Sequence, residues 1–239
     1  MNAADPIVSA APIEALALDK SFGAIPVLRG ISLRVEAGRG AAIVGGNGTG
    51  KSTLLRILAG LSAPDSGSAT LFGAAASSLA APIRRRVGFV SHQSFLYPNL
   101  TARENLEFYA ALYRLADIPA LTKDWLDRVG LASAADLRVA GFSRGMEQRL
   151  TLARALMPAP AVILLDEPFA ALDADGADRA MRLVNEALAR DAAILVTAHS
   201  SAALEAQGFE IHNLVRGRLE SPRALDSAAS VASRPAAAG

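Results

Sequence analysis

The chain reads as an α/β fold: a core of parallel strands, an antiparallel β segment ahead of it, and a helical segment inserted within it. Three observations predict this. Ala41-Ala42-Ile43-Val44 runs directly into Gly45-Gly46-Asn47-Gly48-Thr49-Gly50-Lys51-Ser52 and then Thr53-Leu54-Leu55-Arg56-Ile57-Leu58, a strand feeding a glycine-rich turn that opens a helix. The apolar runs at 161–165 and 192–196 have strand length and the composition of strands buried on both faces. Between the glycine turn and the first of these runs, from about residue 94 to 158, helical spacing takes over.

The elements follow in order. Residues 1–11 show no period and read as a loose lead-in. Residues 14–19 and 31–36 read as strands; in the second, Ile31, Leu33 and Val35 alternate with Ser32, Arg34 and Glu36, the pattern of a half-buried antiparallel strand. The helix after the glycine turn is expected to reach about Ala59, with Gly60 capping it. Further strands are expected at 69–72 and 87–90. Thr101 and Glu104 form a capping box ahead of Leu106, Tyr109, Ala110 and Tyr113 at helical spacing. A second helix is predicted over 121–129 with Gly130 as its stop, and a third from Ser143 until Pro158 ends it. Strands return at 162–165 and 194–197 around a helix at 177–190, and 210–215 with the Arg216-Gly217 turn reads as a hairpin. The Ala/Ser/Pro-rich residues 221–239 carry no pattern and are expected to be disordered. One unit over 12–220 is therefore expected, with its helical part at about 94–158 and no internal repeat.

Bulk properties narrow the classes. A chain of 239 residues can bury a substantial core. Its apolar runs are far too short to span a bilayer, and its N-terminus lacks a basic n-region and continuous apolar stretch, so a cytoplasmic location is expected. The absence of cysteine excludes disulfides and thiolate metal sites and fits a reducing compartment. A net charge of +1 argues against a nucleic-acid partner, and Arg84-Arg85-Arg86 reads as a solvated loop or helix end.

The glycine loop points to a triphosphate. Its backbone N–H groups can curl around phosphate oxygens at a helix N-terminus, Lys51 can reach the β- and γ-phosphates, and Ser52 can offer its hydroxyl to Mg²⁺. With only Lys20, Lys51 and Lys123 in the chain, a stray lysine beside a chance glycine turn is the weaker reading. Val162-Ile163-Leu164-Leu165 ends in Asp166-Glu167, which places two carboxylates at the edge where parallel sheets bind ligands. Asp166 suits Mg²⁺, held through water, and Glu167 suits polarisation of the attacking water. Gln93 and His199 each follow another apolar strand at that edge; the amide can touch metal or water, and the imidazole the γ-phosphate.

Together these motifs closely resemble the ATP-binding cassette of ABC transporters from residue 13 to 219. Residues 45–52 match Walker A, Gln93 the Q-loop glutamine, 162–167 Walker B, Ala171-Leu172-Asp173 the D-loop and His199 the switch histidine. Phe142-Ser143-Arg144-Gly145-Met146-Glu147-Gln148 stands at the signature position, with Arg144 and Met146 departing from the commonest pattern. The resemblance implies the ABC ATPase fold, a P-loop NTPase core with the two added subdomains. It implies ATP binding by Phe22 (on adenine), Gly45, Asn47, Gly48, Gly50, Lys51, Ser52 and Thr53, with Mg²⁺ held by Ser52, Gln93 and Asp166. It also implies catalysis by Glu167, His199 and Gln93. Two copies would pair head to tail as an ATP sandwich, with Ser143 and Gly145 of each facing the other's triphosphate. Integral-membrane permease subunits would bind beside the Q-loop, where Phe95-Leu96-Tyr97-Pro98 offers apolar anchors or serves the core, and would hold the cassette peripherally at the cytoplasmic face of the inner membrane. Residues 91–97, 100–109 and 142–146 are similar to the haem exporter ATPase of cytochrome c biogenesis. The 142–146 motif also occurs in cassettes of drug, lipid and polysaccharide exporters. A soluble ABC ATPase acting on DNA or ribosomes is a further class; its usual paired cassettes, coiled-coil insertions and basic extensions are not seen in this sequence.

Overall fold

The computed structural model describes residues 11–220. Along the chain run β1 (Ile13–Phe22), β2 (Ile25–Val35), β3 (Gly40–Val44), α1 (Lys51–Leu58), β4 (Ser66–Leu71), β5 (Ala74–Ala75), α2 (Ala81–Arg84) and β6 (Val87–Val90). After these come α3 (Ala102–Tyr113), α4 (Ile118–Arg128), α5 (Arg144–Leu156), β7 (Val162–Asp166), α6 (Ala174–Leu188), β8 (Ala193–Ala198), α7 (Ala202–Glu205), β9 (Glu210–Val215) and β10 (Arg218–Glu220). An antiparallel sheet has the order β2-β1-β4-β5, and a second sheet the order β10-β9-β3-β8-β7-β6. In the second, β9, β3, β8, β7 and β6 are parallel and only β10 runs against them.

The continuous apolar runs have a direct cause. Val162 and Leu164 pack with the antiparallel sheet and α1, whereas Ile163 and Leu165 pack with the helices on the opposite face. Ala193 and Leu195 divide from Ile194 and Val196 in the same way. A strand with a core on both faces needs apolar side chains at every position, each fully buried one contributing about 1.5–3 kcal/mol. Alternation survives only where one face meets water, as in β2, where Ile31, Leu33 and Val35 are buried and Ser32 and Arg34 exposed.

Several expectations need correction at their ends. β2 begins at Ile25 rather than 31, because Gly30 at φ +64 kinks the strand and breaks its alternation. β1 runs to Phe22 through three register shifts against β2, with Ala17 at φ +46. Ala59, not Gly60, caps α1; Gly60 follows at φ +71, so close to the Ala76 carbonyl that a Cβ would lie 2.2 Å from it. The helix expected at 177–190 starts three residues earlier, since the Asp173 side chain accepts from the Gly176 N–H and caps it. Helical character does not begin at 94; residues 91–101 form an irregular segment up to the Thr101 capping box. β5, α2 and α7 are too short to carry a period and had no sequence signal. Arg84 ends α2, and Arg84, Arg85 and Arg86 are exposed, as expected of a solvated helix end. Of the expected lead-in only Ala11 is described, and it is buried; the disorder expected at 221–239 lies outside the described residues.

The parallel register collects the chemistry. Val44 pairs with Ala198, Asp166 with Thr197 and Val90 with Leu165. The residues that follow these strand ends, Gly45, Glu167, His199 and Ser91, therefore emerge at one edge of one sheet.

Candidate nucleotide-binding site

The glycine turn between β3 and α1 is built for close approach. Gly50 sits at φ +108 against Leu28 and Val27, where a Cβ would lie 2.8 Å from the Leu28 side chain. Only glycine accepts both the backbone angle and the crowding. α1 then starts at Lys51 with no side-chain cap, which leaves its first N–H groups free for an anion.

Lys51 is turned inward and only 4% exposed. Its Nζ donates to the carbonyls of Gly45 at 2.8 Å and Gly46 at 3.1 Å, and lies 3.2 Å from Glu167 Oε1. The other carboxylate oxygen, Oε2, lies 3.0 Å from His199 Nε2. Glu167 itself sits at φ +50, a sparsely populated angle for a residue with a Cβ. Its N–H is held by the Thr197 carbonyl at 3.2 Å and the Thr197 hydroxyl at 3.0 Å. Burial alone would raise the Glu167 carboxyl. The hydrogen bond and charge of Lys51, joined by His199, outweigh it, and the carboxyl lies below its ordinary value.

Thr197 is the functional residue the motif reading passed over. Fully buried, it also donates its hydroxyl to Asp166 Oδ1 at 2.7 Å, so one side chain holds the Asp166 carboxylate and the backbone of Glu167. The signal was present: a lone hydroxyl closing the apolar run Ile194-Leu195-Val196 at the sheet's ligand edge. Thr197→Val keeps the shape but leaves Asp166 and the Glu167 N–H each short of a partner. We expect a loss of about 1–3 kcal/mol in urea unfolding. In steady-state assays kcat should fall about tenfold or more while the ATP KM changes little.

Lys51, Ser52, Thr53, Asn47, Gly48 and Gly50 line a cleft of about 590 Å³ together with Phe22, His92, Glu167 and His199. Phe22 is exposed, with Lys20 Nζ 5.6 Å from its ring centre. A neighbouring polar cleft of about 280 Å³ holds Asp166 together with Arg144, Glu147 and Gln148, and shares His92 and Glu167 with the first. Gln93 is exposed on the segment after β6 and lines neither cleft; His92 stands where the glutamine was expected. Ser143 and Gly145 also lie outside the first cleft. Ser143 is exposed and caps α5, accepting from the Met146 N–H at 3.2 Å, and a Cβ on Gly145 would come 3.0 Å from the Ala171 carbonyl.

A strand-end glycine cradle, an inward lysine and a carboxylate–histidine pair define a nucleoside-triphosphate site of the P-loop kind. The chain belongs to the ABC transporter family, whose model matches residues 28–170. It is 44% identical over 190 residues to the Fe(3+) ions import ATP-binding protein FbpC 2 of Rhodococcus jostii (strain RHA1), covering 77% of this chain and 54% of that protein. It is 39% identical over 191 residues to the Nod factor export ATP-binding protein I of Burkholderia lata, covering 79% and 63%. The chain thus spans between about half and two thirds of the length of these relatives. The dimeric, ADP- and Pi-bound post-hydrolysis structure of the ATP-binding cassette MJ0796 superposes with a TM-score of 0.77 at 30% identity, over 87% of this chain and 96% of that one. The fold is that of an ABC cassette, and the domain is an ABC ATPase.

Proposed function

We propose that the chain is the ATP-hydrolysing engine of a membrane transporter, and that two copies close head to tail on two ATP molecules to drive it. The observation that carries this reading is the Lys51–Glu167–His199 constellation at the mouth of the glycine cradle. The cradle N–H groups and Lys51 bind the triphosphate, and Phe22 stacks on the base. Glu167 accepts hydrogen bonds from the attacking water, and His199 holds the carboxylate's second oxygen and reaches the γ-phosphate. Gln93 joins the site only if residues 91–97 rearrange from the position described above. The exposed Ser143 and the free N–H groups at the start of α5 face the other copy's γ-phosphate, with Gly145 allowing close approach. That the dimeric cassette MJ0796 shares this fold supports the pairing.

The residues present fit Mg²⁺. Asp166 has one oxygen engaged by Thr197 and the other available, and Ser52 starts α1 beside Lys51. No cluster of three or more carboxylate, histidine or cysteine ligands occurs among the described residues. That suits an ion held by a hydroxyl, one carboxylate and substrate phosphates. Bound there, Mg²⁺ would neutralise developing charge on the β- and γ-oxygens.

No helix among the described residues is long and apolar enough to cross a membrane, so a separate permease would anchor this cassette peripherally at the cytoplasmic face. Exposed Phe95, Tyr97, Phe108 and Leu112 offer it an aromatic docking face. For cargo, export is the reading we adopt, supported by the Nod factor export relatives; the iron-import relatives support the opposite direction. Haem as cargo rests on the 91–109 and 142–146 similarity alone, and none of the relatives named above carries a haem name. The drug, lipid or polysaccharide exporter class is the alternative reading. Affinity purification of the tagged chain from detergent-solubilised membranes tests the assignment. A polytopic membrane protein should co-purify and stimulate turnover; recovery with ribosomes or DNA instead would overturn it.

A further inference from the structure

Beneath the aromatic face lies a cation that the hydrolytic chemistry does not use. Arg154 on α5 is 8% exposed and makes no ion pair among the described residues. Its Nη2 donates to the Phe89 carbonyl of β6 at 2.7 Å, while its Nε has no hydrogen-bond partner. The guanidinium centre lies 5.6 Å from the ring of Phe95 and 5.4 Å from that of Tyr109. One side chain thus ties α5 to the parallel sheet, to the segment after β6, and to α3. Burial pulls the guanidinium pKa below its ordinary value, the sign of a charge kept at a cost. A leucine or methionine would fill the same volume without desolvating a charge, so packing alone does not account for an arginine here.

The segment it holds is strained and pinned. Phe95 sits at φ +55, and the Tyr109 hydroxyl donates to its carbonyl. Two residues on, Asn105 clamps the Tyr97 backbone, accepting from its N–H at 2.8 Å and donating to its carbonyl at 3.0 Å. Strain of this kind persists only where the surroundings over-determine the backbone. The same segment carries His92 into both clefts. At the other end of α5, about 16 Å away along a rigid helix, stands Ser143.

We propose that Arg154 is a positioning residue for ATP hydrolysis: with Tyr109, it locks the segment carrying His92 and Gln93 to the helix carrying Ser143, so that the segment at this copy's nucleotide and the helix facing the other copy's nucleotide keep a fixed mutual geometry. This rests on the ATP-sandwich reading for its effect on turnover, but not for its effect on the segment itself. Arg154→Met removes the tie while keeping an unbranched apolar stem, and Tyr109→Phe removes only the hydroxyl. Both are made in the full chain and compared by TNP-ATP binding, steady-state ATPase, and deuterium exchange of residues 91–97.

For Arg154→Met we expect nucleotide affinity within about twofold of the parent, kcat lowered about tenfold, and faster exchange across 91–97. Tyr109→Phe should shift the same way by roughly threefold, and Arg154→Lys should recover part of the loss, since an ammonium keeps the charge but not the planar fork. Unchanged kcat and exchange in Arg154→Met would reduce the residue to packing, as would affinity that falls in step with kcat. If Arg154→Met does not fold, Tyr109→Phe decides by the same criteria. Faster exchange across 91–97 in Arg154→Met, together with a parent chain that forms no ATP-dependent dimer, would sink the sandwich reading while leaving the tie intact.

Discussion

Glu167→Gln should bind ATP with near-parental affinity, lower kcat by about 10²- to 10³-fold, and accumulate as a nucleotide-loaded dimer. The magnitude follows from the role. A positioned general base contributes roughly 10²–10⁴ in rate, and the amide keeps the shape while losing the charge that makes the carboxylate an acceptor of the water's proton. The local geometry sharpens the expectation. Each carboxylate oxygen in Glu167 faces a donor, Lys51 on one side and His199 on the other. A glutamine can present an oxygen to only one of them and turns its NH₂ toward the other. The positive φ and the two bonds from the Glu167 N–H to the Thr197 carbonyl and hydroxyl involve only the backbone of residue 167 and survive the substitution. Sedimentation in Mg-ATP should show a dimer that the parent forms only transiently, and Ser143→Ala in the same background should weaken it. Parental turnover in the Glu167→Gln chain would remove Glu167 from the chemistry.

What the sequence revealed and what it hid have the same physical basis. Motifs were legible where one residue type alone can do the job. Gly50 needs a φ and a clearance that nothing else tolerates, and Asp166-Glu167 closes a run whose apolarity already marked a strand buried on both faces. Thr101 announced a helix start because a capping box has a fixed local stereochemistry; Asp173 also caps a helix, but that helix was expected only from residue 177. Residues that act through distant partners were hidden. Thr197 matters because Asp166 and Glu167 lie across the sheet from it, and Arg154 because Phe89, Phe95 and Tyr109 converge on it from two other elements and the segment between them. Gln93 is the reverse case. Its place in a motif was legible, but the segment it rides on is set by Tyr109, Asn105 and Arg154, and that segment turns His92 into the clefts instead.

Lys51→Ala should abolish ATP binding at concentrations that saturate the parent, a loss of about 100-fold or more in affinity measured by calorimetry. Turnover should vanish with it. The reason lies in what Lys51 does without nucleotide. Its ammonium is satisfied by two loop carbonyls and by Glu167, a set that a γ-phosphate can replace by offering more charge. On the proposed reading, a lysine that transfers to phosphate would release Glu167 to take a water, so that the base would become free only once the triphosphate has arrived. The alanine variant should also change acid stability in a defined direction. The folded-state carboxyl of Glu167 is held below its unfolded value chiefly by Lys51, against the upward pull of burial. Its stabilising contribution is therefore complete above the unfolded value and lost as pH falls through the lowered one. Removing Lys51 shrinks that depression, so the variant should begin losing urea stability at a higher pH than the parent as the solution is acidified. Near neutrality it should already be weaker by about 1–3 kcal/mol, because a partly buried carboxylate keeps only His199 and two carbonyls lose their donor. A variant that binds ATP within about threefold of the parent, with an unshifted acid limb, would show that the lysine neither holds the phosphate nor restrains the carboxylate.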